Sequence, residues 1–196
     1  MLLAALLVLA AFLAGSIPFG LILCRLRGVD IRQVGSGNIG ATNVARALGK
    51  RFALVVLLLD VAKGLGPVLA ARLLLATDPL GERAVAAAML AAVLGHTFTP
   101  FLRFRGGKGV ATGLGVFLAV SPIAGAVGLV LYVGLYAAFR ISSLGSLAGT
   151  FAAVIALFLT GVPWLQGFAG IAIALVIVAK HHENIRRLLH REEDSV

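Results

Sequence analysis

Long apolar runs, separated by short connections that carry nearly all of the charge, constrain this chain more than any other feature. A helix that crosses a hydrocarbon core needs about 20 predominantly apolar residues. Runs that reach or approach that length fall at about 2–23, 53–75, 84–101, 144–160 and 164–180. Only 13% of the chain is charged, roughly half the share found in soluble domains, and the mean hydropathy is +1.05. The pattern predicts an all-α polytopic membrane protein, one unit over residues 1–196, with no room for a separate soluble domain. The first run lacks the basic segment of a cleaved signal peptide and stays apolar to Leu23, so it is read as the first membrane helix.

The stretch 110–139 is too long for one crossing and short for two, and charge decides between them. A single crossing would put Arg103, Arg105 and Lys108 on one side and Arg140, Lys180, Arg186, Arg187 and Arg191 on the other. A reversal at Ser121-Pro122 instead groups all of these with Arg25, Arg27, Arg32, Arg46, Lys50 and Arg51, collecting 14 of the 17 Lys and Arg on one face. The preference of basic connections for the cytoplasm selects the reversal, and Ser-Pro is itself a helix-start signal. The expectation is seven transmembrane helices in the cytoplasmic membrane, with the N-terminus outside and the C-terminus cytoplasmic. The fourth, about 110–120, would rise only ~16 Å. It must therefore be covered by protein or line a polar cavity.

A net charge of +9 suits contact with anionic membrane lipids. The aromatic–basic interleaving of single-strand binders is missing, so nucleic acid is not an expected partner. The single cysteine, Cys24, allows no internal disulfide.

Four polar segments share the predicted cytoplasmic face. In "GSGNIGATN" (35–43) the glycines have the G-x-G-x-x-G spacing of a dinucleotide-binding turn. That turn needs a strand before it and a parallel sheet around it, whereas here a membrane helix precedes it and strand–helix alternation is missing. Glycine still lets a backbone approach an anion closely. Ser36, Asn38, Thr42 and Asn43 add donors, and Arg46 lies on the short amphipathic helix expected to follow. The alternative is a tight interfacial turn whose glycines only permit close packing.

"FRGGKGVATG" (104–113) sets Lys108 between glycines at the start of a helix, where backbone donors, helix dipole and ammonium all favour an anion. It is not a P-loop, because 102 is Leu and 109 is Gly. The alternative is a loop anchored to anionic headgroups by Arg103, Arg105 and Lys108. His96, near the cytoplasmic end of the third helix, is either an interfacial cap or a candidate proton acceptor. Ser143 and Ser146 open the sixth helix as N-caps or site residues. His181 and His182 are adjacent rather than one turn apart, so a metal site is not expected. Asp60 and Lys63, inside the second run at i, i+3 spacing, predict an ion pair on one helix face, with a proton relay as the alternative.

Taken in order and spacing, "GSGNIGATN", "FRGGKGVATG" and "KHHENIRRLL" resemble three signatures of the bacterial membrane glycerol-3-phosphate acyltransferases that use acyl phosphate as donor. The resemblance covers essentially the whole chain. It implies transfer of a fatty acyl group from acyl phosphate to the 1-hydroxyl of glycerol-3-phosphate, giving lysophosphatidic acid and inorganic phosphate in phospholipid synthesis. It implies no cofactor and no obligate protein partner, only these substrates and membrane lipids. Residue by residue, it implies that Ser36, Gly37, Asn38, Gly40, Thr42, Asn43 and Arg46 hold phosphate and polar substrate atoms. Lys108, with Gly106, Gly107 and Gly109, would bind a phosphate. His96, Ser143, Ser146, His181, Glu183 and Asn184 would complete the pocket, with His96, Lys108 and Asn184 nearest the chemistry.

The His-x-x-x-x-Asp pattern of soluble-domain acyltransferases is missing at every histidine. The acceptor hydroxyl can lose its proton to His96 or to its own phosphate, a monoester with a second pKa near ~6. The rival reading is a transporter of a phosphorylated solute. It predicts polar residues through to the outer face, but the outer connections "LLLATDPLGER", "AVSPIAG" and "LTGVPWLQG" hold no anion cluster, and no internal repeat is visible.

Overall fold

Proline divides the first apolar run. Pro18 has no backbone N–H to give, and it pushes the residue before it out of the helical region. Ile17 accordingly sits at φ −65°, ψ 118°. The single helix expected over 2–23 is therefore two: α1 (Leu2–Ser16) and α2 (Phe19–Leu26). The computed structural model describes residues 1–193; the last three residues of the tail, 194–196, lie outside the described residues. All regular structure among the described residues is helical.

A short 3-10 turn, Ile31–Gln33, leads to α3 (Ala41–Leu48), the amphipathic helix expected after the glycine motif. There follow α4 (Lys50–Leu74), α5 (Gly81–Thr97), a 3-10 turn at Pro100–Leu102, α6 (Val110–Val120) and α7 (Pro122–Phe139). The last three helices are α8 (Ser142–Leu159), α9 (Trp164–Lys180) and α10 (His182–His190). The helix break at Ser121-Pro122 is present: Ser121 Oγ accepts from Ala124 N–H at 3.2 Å, capping α7. Ser143 and Ser146, by contrast, cap nothing. Ser143 Oγ donates to Glu193, and Ser146 Oγ donates back to the Ser142 carbonyl.

Among the described residues, five segments are long and apolar enough to cross a membrane: Leu2–Leu26, Lys50–Leu74, Gly81–Leu102, Pro122–Phe139 and Ser142–Leu159. A sixth is α9, which meets α10 at a 63° bend, and α6 is a shorter apolar helix. Leu58, Val130, Ile155 and Leu175 point outward, giving the bundle an apolar surface suited to lipid. The chain is a multi-pass membrane protein.

Small residues set the helix spacing. A Cβ at Gly95 would strike the Phe12 carbonyl, and one at Gly15 the Ala92 carbonyl, so α1 and α5 touch backbone to backbone. Gly64 against Thr112 and Gly115 against Val61 do the same for α4 and α6. The short α6 is thus held in the protein, with Val116 and Phe117 buried among Val68, Met89 and Ile173. Asp60 and Lys63 form the expected pair on α4 at 2.7 Å. Lys63 Nζ also donates to the Ile17 carbonyl at 2.7 Å, one of the groups left over by the proline break.

Candidate functional site

Asn43 organises the first glycine segment. From the first turns of α3, its side-chain amide donates to the carbonyls of Ile31 (3.2 Å), Val34 (2.8 Å) and Asn38 (2.9 Å), and its Oδ1 accepts from Ser36 N–H at 3.3 Å. One buried side chain thereby folds residues 31–38 around itself. Asn38 Oδ1 accepts from Gly40 N–H at 2.9 Å and tightens the turn further. Asn43 and this face of Asn38 are spent on the loop, while Ser36 and Asn38 also reach the cavity described below. Thr42 hydroxyl pairs with Ser142 at 3.1 Å, and Ser142 with Tyr132 at 3.2 Å, tying the segment to α7 and α8.

The second glycine segment is clamped to the end of α5. Gly106 N–H donates to the Thr97 carbonyl and Gly107 N–H to the His96 carbonyl, each at 3.1 Å. A Cβ on Gly107 would occupy the position of His96 Nε2, so only glycine lets the loop lie on the imidazole. Gly109, at φ +90°, then turns the chain into α6 in a conformation that suits glycine. The N–H groups of Gly106 and Gly107 are therefore committed to carbonyls. The donors this segment turns outward begin at Lys108, whose Nζ donates to Asn184 Oδ1 across the fold.

The third segment comes from the bend between α9 and α10. His181 Nδ1 lies 2.8 Å from the Ile177 carbonyl; a carbonyl only accepts, so Nδ1 carries the proton there. Asn184 sits between opposite charges, accepting from Lys108 and donating through its amide to Glu193. The Glu193 carboxylate also takes Ser143 Oγ at 2.7 Å and Arg187 Nε.

These three segments, distant in sequence, enclose one cavity of about 150 Å³ lined by Ser36, Asn38, Gly106, Gly107, Lys108, Lys180, His182, Glu183, Asn184 and Arg187. Lys108, Lys180 and Arg187 make it cationic, and Lys180 is held over the Phe98 ring at 4.7 Å. Burial pushes the Lys108 ammonium below the ordinary lysine value; Arg187 and Arg46 add to that, and Glu193 and Glu183 oppose it. An anion arriving beside Lys108 restores the charge that burial disfavours. For Glu193 burial acts upward, but hydrogen bonds from Asn184, Ser143 and Arg187 outweigh it and hold the carboxyl below its usual range.

Of the residues singled out from sequence, Ser36, Asn38, Gly106, Gly107, Lys108, Glu183 and Asn184 line this cavity. Gly37, Gly40, Thr42, Asn43, Gly109, Ser143, Ser146 and His181 do not line it. Arg46 is exposed, with its side chain against Gly35. His96 does not reach the wall. It is 4% exposed, behind Gly107, with Nδ1 3.9 Å from Asp60 Oδ1. Lys180, Arg187 and Glu193 were not singled out. Their signal was present in the tail, where a carboxylate follows several basic residues within about two turns of helix.

A protein-family model described as glycerol-3-phosphate acyltransferase matches residues 5–191. The chain is 55% identical over 190 residues to a glycerol-3-phosphate acyltransferase of Anaeromyxobacter sp. (strain Fw109-5), covering 95% of this chain and 93% of that one. It is 52% identical over 187 residues to one from Geobacter sulfurreducens, covering 94% and 93%. Two crystal structures of PlsY, an integral membrane glycerol 3-phosphate acyltransferase, superimpose on it. The glycerol 3-phosphate form has a TM-score of 0.93 at 44% identity, over 98% of this chain and 95% of that one. The lysophosphatidic acid form has a TM-score of 0.91 at 43% identity, over 98% and 94%. With the match running through all three cavity-forming segments, the chain belongs to the glycerol-3-phosphate acyltransferase family.

Proposed function

We infer that this protein transfers a fatty acyl group from acyl phosphate to the 1-hydroxyl of glycerol-3-phosphate, making lysophosphatidic acid and inorganic phosphate in bacterial phospholipid synthesis. The observation that carries the reading is the convergence of three polar segments on one small cationic cavity, bridged by the Lys108–Asn184 hydrogen bond. Both substrates and both products carry phosphate, and the cavity wall offers Lys108, Lys180 and Arg187 together with the neutral donors Ser36, Asn38 and Asn184.

In the proposed reaction the glycerol oxygen attacks the acyl carbonyl carbon. An ester bond forms, the bond from that carbon to the phosphate oxygen breaks, and the phosphate leaves with its electron pair. Phosphate is already a good leaving group, so alignment and stabilisation of developing negative charge are the main tasks. Lys108 is the proposed stabiliser, oriented by Asn184. Ser36, Asn38, Arg187 and Glu183 are proposed to position the phosphates and the glycerol hydroxyls. The hydroxyl proton goes to the dianionic phosphate of glycerol-3-phosphate rather than to His96, because His96 is closed off behind Gly107. His96 is instead a positioning residue for the glycine loop. The acyl chain lies between helices, open to the bilayer.

Seven crossings, counting α6 as the fourth, put the cavity on the cytoplasmic side, with the N-terminus outside. In favour of this are the grouping of basic residues and the helix break capped by Ser121 between α6 and α7.

The test supplies purified protein in lipid with glycerol-3-phosphate and long-chain acyl phosphate and measures inorganic phosphate release. Acceptor-dependent release that acyl-CoA cannot support, and that Lys108→Ala greatly reduces, is the expected result. No release from folded protein would sink the reading.

A further inference from the structure

Apart from the catalytic cavity, the cytoplasmic face proposed above carries a second and larger one, about 390 Å³, lined by Arg25, Arg32, Phe101, Leu102, Arg103 and Arg105. Four guanidiniums meet there from three separate pieces of chain: the last turn of α2, the 3-10 turn Ile31–Gln33, and the loop after α5. Three other arginines of the protein have partners. Arg27 lies 4.6 Å over the Phe52 ring, Arg72 donates to the Ala119 and Val120 carbonyls, and Arg187 pairs with Glu193. No carboxylate pairs with the four, among the described residues. The nearby acid in sequence, Asp30, accepts from the Arg32 backbone N–H and from Gln33 Nε2 instead.

The loop that presents two of them is built, not slack. Arg103 and Phe104 both adopt left-handed backbone, at φ 51° and 62°, which is unfavourable for side chains with a Cβ. Main-chain bonds from Leu102 and Phe104 N–H to the Thr99 carbonyl, and from Arg105 N–H to Leu102, hold that shape. Thr99 Oγ1 fastens its base to the Ser16 carbonyl of α1 at 2.7 Å. A left-handed bend at a bulky residue persists only where its surroundings impose it, and such bends concentrate at binding sites. Phe101 and Phe104, each 63% exposed, stand on the same loop and offer apolar contact beside the charges.

We propose that this arginine pocket binds the phosphate headgroup of an anionic phospholipid from the membrane, with Phe101 and Phe104 against the glycerol and upper acyl region. Converging guanidiniums repel one another until an anion sits between them, and their planar forks fit phosphate oxygens two at a time. The exposed rings beside them favour a lipid over a free phosphate ion. The site is separate from the transfer reaction, but Arg32 and Arg105 belong to the two loops that line the catalytic cavity, so an occupied pocket would brace both.

The experiment uses the full chain in neutral detergent, titrated with phosphatidylglycerol or phosphatidylcholine and read by native mass spectrometry. One phosphatidylglycerol should bind in preference to phosphatidylcholine. The double variant Arg103→Lys/Arg105→Lys keeps the net charge but loses the forks, and should bind about tenfold more weakly. Arg32→Lys is a second variant in case the loop misfolds, and Arg140→Lys, on an exposed residue that does not line the pocket, should bind like the parent. Equal binding by all variants would mean diffuse attraction and overturn the site. Displacement of the lipid by excess inorganic phosphate would overturn the lipid assignment in favour of a soluble anion.

Discussion

At the scale of single residues, the proposed mechanism gives Lys108 and His96 different tasks. Lys108 faces the cavity and His96 supports the loop that carries it. Lys108→Ala should lower kcat/KM by about 10²–10³, the cost of removing one preorganised stabiliser of charge. His96→Ala should cost much less than the upper range expected for loss of a general base, about 10⁴. Steady-state kinetics on the two variants decides between substrate-assisted and histidine-assisted proton removal. Gly107→Ala should be severe by itself and partly rescued when His96 is also cut to Gly, because the clash is then gone; rescue would also exclude His96 as the obligatory base.

With Lys108 as the proposed stabiliser, the pH dependence follows from its charge. Burial lowers its pKa, so the charged form is the one lost as pH rises, and it is lost earlier than for an ordinary lysine. The basic limb of kcat/KM should therefore fall below the usual lysine range. In kcat, measured with the anion bound, that limb should move up again.

At the scale of elements, the segment after the tail helix α10 brings a carboxylate to the cationic cavity. Glu193 takes hydrogen bonds from Ser143, Asn184 and Arg187 that a substrate phosphate could use. Glu193→Gln removes the charge and keeps the shape. It should lower KM for glycerol-3-phosphate, with kcat little changed, and initial-rate curves over substrate concentration read this directly. On α4, Asp60 and Lys63 are 3% and 6% exposed and mutually paired. Lys63→Met would leave Asp60 uncompensated, and the loss of one partner of a buried pair costs about 3–5 kcal/mol. Thermal unfolding in detergent should fall sharply for this variant and recover in Asp60→Asn/Lys63→Met. A variant that unfolds normally but loses activity would favour the proton-relay alternative.

At the scale of the molecule, the proposed seven crossings would put the two ends of the chain on opposite sides of the membrane. With Cys24 replaced, single cysteines at Asp78 and at Gly161 should react with an impermeant thiol reagent added from outside intact cells. Cysteines at Gly35, Arg140 and His190 should react only after the membrane is opened. Outside labelling at position 140 would mean that 110–139 crosses once and would remove the fourth crossing.

The sequence by itself determined the class, the helical architecture and the three polar segments, because those rest on local properties. Apolar run length, the Ser121-Pro122 cap and the i, i+3 spacing of Asp60 and Lys63 act within a few turns of chain, and each is present in the structure. Even the break at Pro18 was locally encoded, since proline lacks the N–H a helix requires.

Tertiary structure alone decided which members of each motif face the cavity. Asn43 and Ser36 are close in sequence, yet Asn43 turns inward to three carbonyls and Ser36 turns to the cavity. His96 had the chemistry of a base, but packing put Gly107 in front of it. Glu193 joined the site only because the 63° bend after α9 brings the tail back toward Ser143 and Lys108. Side-chain type is a property of the residue. Direction and accessibility depend on what packs against it, and the partners here lie up to a hundred residues away, as Thr42 and Ser142 do.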